Sequence, residues 1–196
     1  MENSIEEYLE LAYSYFPQGI SEENEKQYRE TPQFQKLTES LKQRKYLDRK
    51  WHELLSVLQK QYQCLDIGVP DRLIRGYRIA IILPEPERHY VVVNISKLIP
   101  AYSFYTLSDR KYDLYSDDGL FKFSGFSSPD LEVVTEVSEK IEFHFEGYKP
   151  FPPDLPLVPL EDVEFEERGI LKDDQYRTYY QPMTLFNAFF STNLFY

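Results

Sequence analysis

The stretch from Leu73 to Leu107, LIRGYRIAIILPEPERHYVVVNISKLIPAYSFYTL, constrains the fold more than any other, because it is the only long part of the chain rich in β-branched and aromatic residues. It divides into three strands. The first, residues 73–83, stops at Pro84-Glu85-Pro86-Glu87, where two prolines withhold backbone donors. The second, residues 89–95, carries Tyr90-Val91-Val92-Val93; a run that is apolar at successive positions needs cover on both faces, which predicts the central strand. The third, residues 101–107, alternates, with Tyr102, Phe104 and Thr106 on one face and Ser103, Tyr105 and Leu107 on the other.

Helical spacing dominates the residues before this meander. Ile5, Tyr8, Leu9, Ala12 and Phe16 predict a helix over residues 4–16, stopped by Pro17-Gln18-Gly19; Ser21 can cap a second, acidic one. Thr31-Pro32 starts a third pattern that continues through Leu37, Leu41, Leu47, Trp51, Leu54 and Leu58 to Tyr62, predicting one long amphipathic helix. Its polar side holds seven Lys/Arg against three acids, and the interspersed acids suit a solvated helix face better than a nucleic-acid surface. Beyond the meander, Asp117-Asp118-Gly119 between aromatic runs predicts a hairpin within residues 108–127, and Leu131, Val134, Val137, Ile141 and Phe145 predict a helix over 129–146. Pro150, Pro152, Pro153, Pro156 and Pro159, interleaved with apolar residues, predict an extended strap pinned to the core, and TLFNAFFSTNLFY an apolar tail that must dock as a short helix or strand. The expected fold is therefore α+β and a single domain over residues 1–196. Its helical part is residues 1–66 and its sheet-containing part residues 72–196, with N-terminal helices on an antiparallel β-meander, one later helix and a docked C-terminal tail.

Charge narrows the function. The net charge of −11 lies almost wholly in one third of the chain: residues 109–174 hold 7 Lys/Arg against 18 Asp/Glu, whereas residues 1–108 hold 14 against 15. Such a field argues against nucleic acid, which needs a basic footprint, and would steer a basic protein partner; acidic loops that simply keep an aromatic-rich chain soluble have the same composition. With 17 Tyr and 14 Phe, the chain also has the residues that make large contacts at little entropic cost, although many of these rings must be core. The lone Cys64 excludes an internal disulfide and suits a reducing compartment. The sequence offers neither an export signal nor an apolar run of roughly 18 residues, and a cytoplasmic chain with no membrane association is expected.

Catalytic chemistry has little to stand on. His52, His89 and His144 are solitary, the seven glycines form no phosphate cradle, GFSSP lacks the second glycine of a nucleophile elbow, and Cys64 ends an apolar helix without a base nearby in sequence. No metal, cofactor or catalytic residue is expected. Acid pairs such as Glu166-Glu167 and Asp173-Asp174 are too numerous for any one to stand out.

Three phrases carry a resemblance: RHYVVVNISKLIPAYSFY at residues 88–105, GYKPFPPDL at 147–155, and MTLFNAFFS at 183–191. In this order they resemble "VVVSKLIPYY", "GYxPLPPE" and "ATLFNCLF" in a group of small bacterial cytoplasmic proteins that are encoded beside polymorphic or contact-dependent toxins and regarded as immunity proteins. The likeness covers roughly residues 88–105 and 140–191. It departs at GYKPFPPDLPLVPLEDVEFEE, longer and more acidic than the family's link, and at Gln181-Pro182, where a Gly-Glu pair is common. The resemblance implies a non-catalytic protein, monomeric or weakly dimeric when free, that binds a cognate toxin domain of basic character. The expected contacts are the acids and tyrosines Asp113, Tyr115, Asp117, Asp118, Glu161, Asp162, Glu164, Glu166, Glu167, Asp173, Asp174 and Tyr176. Two other classes stay open: a hydrolase whose carboxylates converge from separate loops, and a structural or adaptor subunit that associates through its apolar C-terminus.

Overall fold

The computed structural model describes residues 4–19, 25–66, 75–83, 89–108, 131–170 and 176–190, and the fold it defines is mixed α+β, with the N-terminal helices preceding the strands. The chain divides into two compact units: residues 46–71 and 76–151 form one, and residues 1–45, 72–75 and 152–196 the other.

The unit of residues 46–71 and 76–151 is built on a five-stranded sheet in chain order: β1 (Cys64–Asp66), β2 (Gly76–Ile82), β3 (His89–Ser96), β4 (Ala101–Ser108) and β5 (Lys149–Pro150), all antiparallel except the β4–β5 pair. As the valine run requires, β3 is the middle strand, and Val91, Val92 and Val93 are all fully buried. The two outer strands are too short to leave a periodic signal. On one face Tyr77, Ile79, Ile81, Val91, Val93, Ile95 and Tyr102 meet two helices, α4 (Tyr46–Gln61) and α5 (Leu131–His144). From α4 come Leu47, Trp51, Leu54 and Leu58, and from α5 Val137 and Ile141, with Phe145 just beyond it. The Trp51 and Tyr77 rings stack with centroids 5.1 Å apart. The opposite face is buried too, and there Arg78 Nε donates to Asn94 Oδ1 at 3.1 Å; burial pushes the Arg78 guanidinium below its ordinary value. α5 stays helical through His144, and Gly147 follows at φ +84°, the left-handed conformation that suits glycine just past a helix.

The second unit contains α1 (Ile5–Tyr13), α2 (Glu25–Arg29), α3 (Pro32–Gln43), the ribbon of β6 (Pro159–Ile170) and β7 (Tyr176–Thr184), and α6 (Leu185–Phe189). A capping box between Ser4 and Glu7 opens α1, and Thr31 caps α3 with Pro32 in its first turn. The predicted single helix over residues 31–62 is in fact two. The apolar phase breaks between Leu41 and Leu47, where positions 44 and 45, which should face inward, are Arg and Lys; the chain leaves the helical conformation at Arg44. In the apolar tail, Thr184 and Asn187 form a capping box for α6, while the strap carbonyls of Pro156 and Val158 accept the amides of Phe186 and Leu185. The strap thereby satisfies donors that a helix start leaves open. α6 is buried and packs on α1, with Tyr8 and Phe189 edge to face. The predicted hairpin within residues 108–127 lies outside the described residues.

Candidate protein-binding surface

Half of the expected contact residues converge on the β6–β7 ribbon. Composition marks residues 161–174 only as an acidic stretch, whereas residues 159–170 are one long strand. The missed signal is the alternation Val163, Phe165 within VEFEE, hidden because charge rather than β-propensity dominates the composition. Glu161, Asp162 and Glu164 are exposed, whereas Leu160 and Val163 are buried. Residues three apart on a regular strand face opposite ways, so both can turn inward only if one residue is inserted between them. The ladder shows that irregularity: its register shifts between the Pro159–Thr184 and Glu164–Pro182 pairs, and Asp162 sits at φ +57°. Aspartate is among the few side chains that enter the left-handed region readily.

Two hydrogen bonds hold the bulge in place. The Glu161 amide donates to the Tyr13 hydroxyl at 2.9 Å, and the Gly19 amide, itself at φ +73°, donates to the Asp162 carbonyl at 2.8 Å. Their effect is to present Glu161 and Asp162 side by side from a strand whose flanking residues are anchored. Further along, the Cα register sets Glu166 opposite Tyr180, Glu167 opposite Tyr179 and Ile170 opposite Tyr176. Cross-strand register thus brings two acids and two tyrosines that are 14 and 12 positions apart in sequence into directly paired positions. Sequence reasoning selected Tyr176 but passed over Tyr179 and Tyr180, because only the register reveals that their strand positions lie opposite Glu167 and Glu166. Asp173 and Asp174, and likewise Asp113, Tyr115, Asp117 and Asp118, lie outside the described residues.

In the other unit, three carboxylates are engaged by tyrosines rooted in or beside the core. Tyr77 donates to Asp48, which also receives Lys97 Nζ at 2.9 Å. Tyr62 and Gln61 both donate to Glu136, each at 2.5 Å. Tyr102 donates to Glu142 at 3.0 Å, alongside Lys149 at 2.5 Å. Burial raises the Asp48 carboxyl, but the bonds from Tyr77 and Lys97 outweigh it and the net displacement is downward. Glu136 is lowered first by Tyr62, and Glu142 first by Lys149. Reciprocally, burial and then Glu136 push the Tyr62 phenol up to about 12. A general acid would need the opposite displacement, so these carboxylates behave as ionised structural acceptors. The Cys64 thiol is pushed up to about 11 by burial, away from the range of an activated nucleophile. Among the described residues no group of three or more His, Cys, Asp or Glu is placed to hold a metal ion, and no helix is long and apolar enough to cross a membrane.

Comparison with protein-family models, with curated proteins and with solved structures gives no match to this chain.

Proposed function

We propose that this chain is an immunity-type protein of the bacterial cytoplasm. In this reading it neutralises a cognate toxin of basic character by stoichiometric binding, with the β6–β7 ribbon as its principal contact surface. The observation that carries the reading is the bulged, acid-bearing β6 set in register with the tyrosines of β7: Glu161, Asp162 and Glu164 exposed at the anchored end, Glu166 and Glu167 paired with Tyr180 and Tyr179 further along. Acids accelerate encounter with a basic surface, and tyrosines supply contact area once it is reached. The three phrases that resemble toxin-associated immunity proteins support the same class, and the departures from that family fall in and beside the ribbon, where specificity for one partner would be written.

The test is co-expression with the product of the adjacent gene. The expected outcome is rescue of growth and a one-to-one complex; a toxic neighbour that neither binds nor is neutralised would overturn the reading. Replacing Glu161, Glu164, Glu166 and Glu167 together with Lys should slow association about tenfold or more at low salt. Unchanged association kinetics would remove the ribbon from the interface.

A further inference from the structure

Phe143 is the most exposed large apolar side chain among the described residues, at 83%. It lies on α5, whose opposite side buries Val137 and Ile141 in the core, so the helix cannot turn to hide it. The positions around it at helical spacing are Glu136, Glu139, Lys140 and, just past the helix end, Glu146; the half-buried Lys140 lies one turn from Glu136 and lowers its carboxyl, which leaves Glu139 and Glu146 as the acids beside the ring. Glu139 and Glu146 are exposed, and Glu136 is fixed by Tyr62 and Gln61, which stiffens that end of the stripe. The ring itself stands nearly perpendicular to that of His144, at a centroid distance of 5.2 Å. A phenyl ring kept in water among carboxylates gains nothing for folding, and it matches the anatomy of a binding hot spot, an aromatic anchor inside a charged rim.

The chain itself contains the chemistry that such a rim selects. Lys97 Nζ sits 4.2 Å from the Tyr77 ring centroid while bonding Asp48 at 2.9 Å, and the Arg75 guanidinium lies 4.7 Å from the Phe16 ring. In the first of these, one cation covers an aromatic face and serves an adjacent carboxylate. The stripe on α5 offers the same pair of groups to an outside cation. A purely apolar partner would leave the rim carboxylates desolvated and unpaired, whereas an arginine can lie flat on the ring and donate sideways to acids about 5–6 Å away along the helix.

We infer that the Phe143 stripe of α5 is a second docking surface, whose occupant is an arginine-bearing segment of the protein partner. The inference rests on the reading of the chain as a binder of a basic protein, but it involves residues separate from the ribbon.

It can be tested on the full-length protein by amide-resolved NMR titration with two alanine-based helical peptides, one carrying four arginines at i, i+4 spacing and the other four lysines. The expected result is peptide-dependent shifts over residues 136–146, tighter binding of the arginine peptide, and a roughly tenfold loss of affinity in Phe143→Leu that Phe143→Tyr restores. Phe143 is exposed, so both variants should fold, and their unperturbed core resonances check this. Equal affinity of Phe143→Leu and the parent protein would overturn the inference. Shifts confined to residues 161–184 would overturn it while leaving the ribbon reading intact, and shifts in neither region would count against both.

Discussion

Asp162 is one non-glycine residue whose backbone conformation is itself a structural device. Its φ of +57° keeps Leu160 and Val163 inward and Glu161 outward. Asp162→Gly should therefore be neutral or mildly stabilising, whereas Asp162→Val, β-branched in the left-handed region, should lower stability by about 1–3 kcal/mol in chemical denaturation. Asp162→Asn removes the charge and keeps the conformational preference, which separates the electrostatic part of binding from the architectural part. At Asp48 the relevant variable is pH. Its carboxyl is lowered in the folded state, so it binds fewer protons than in the unfolded chain, and the resulting stability is complete above the unfolded value near 4 and lost as pH falls through the folded one. Tyr77 is displaced upward, mainly by burial and then by Asp48, so its contribution is complete below the unfolded value near 10 and lost above it. Stability should thus form a plateau between about pH 4 and 10. Tyr77→Phe should cost about 1 kcal/mol on the plateau, remove this residue's part of the alkaline loss and reduce the acid loss due to Asp48, as followed by urea midpoints across pH. An acid shoulder that stays put in this variant would show that the Tyr77 bond does not set the Asp48 titration.

At the scale of elements, most of what folds was legible where periodicity is strong. The valines of β3, the Thr31 cap, and the apolar stripe of α5 each state their element locally. Three features were not legible, for physical reasons. The break between α3 and α4 rests on a shift of helical phase rather than on a proline or glycine. The short strands β1 and β5 exist only because longer neighbours supply their partners. The pairing of β6 with β7 depends on a register set partly by a bulge, and contacts so distant in sequence leave no local pattern. The candidate surface was accordingly half legible: its acids could be named, whereas its strand and the tyrosines opposite them could not. The cap of α6 offers a test at this scale. Thr184 Oγ1 accepts the Asn187 amide and donates to Asn187 Oδ1 at 2.7 Å, so Thr184→Ala should cost about 1 kcal/mol, with the loss of amide protection centred on residues 184–190 in hydrogen exchange.

For the whole molecule, charge and topology matter separately. An excess of 11 negative charges within residues 109–174 makes the association rate with a basic partner depend on ionic strength, and it should fall steeply between about 0.01 and 0.15 M salt as the screening length shortens from roughly 30 to 8 Å. The topology has a consequence in time. The meander, its two helices and β5 are complete by residue 151, while the other unit joins α1 to α6 and β6 to β7, segments from near opposite ends of the sequence. On a ribosome adding about 5–20 residues per second, the segment 152–190 emerges roughly 2–8 s after residue 151. A chain ending near residue 151 should therefore already protect amides in β2–β4 although α1 has no α6 to pack on. The β6–β7 ribbon follows the completed five-stranded sheet along the chain, so on the proposed function a translation product truncated near residue 151 would be competent in its sheet and silent as a binder.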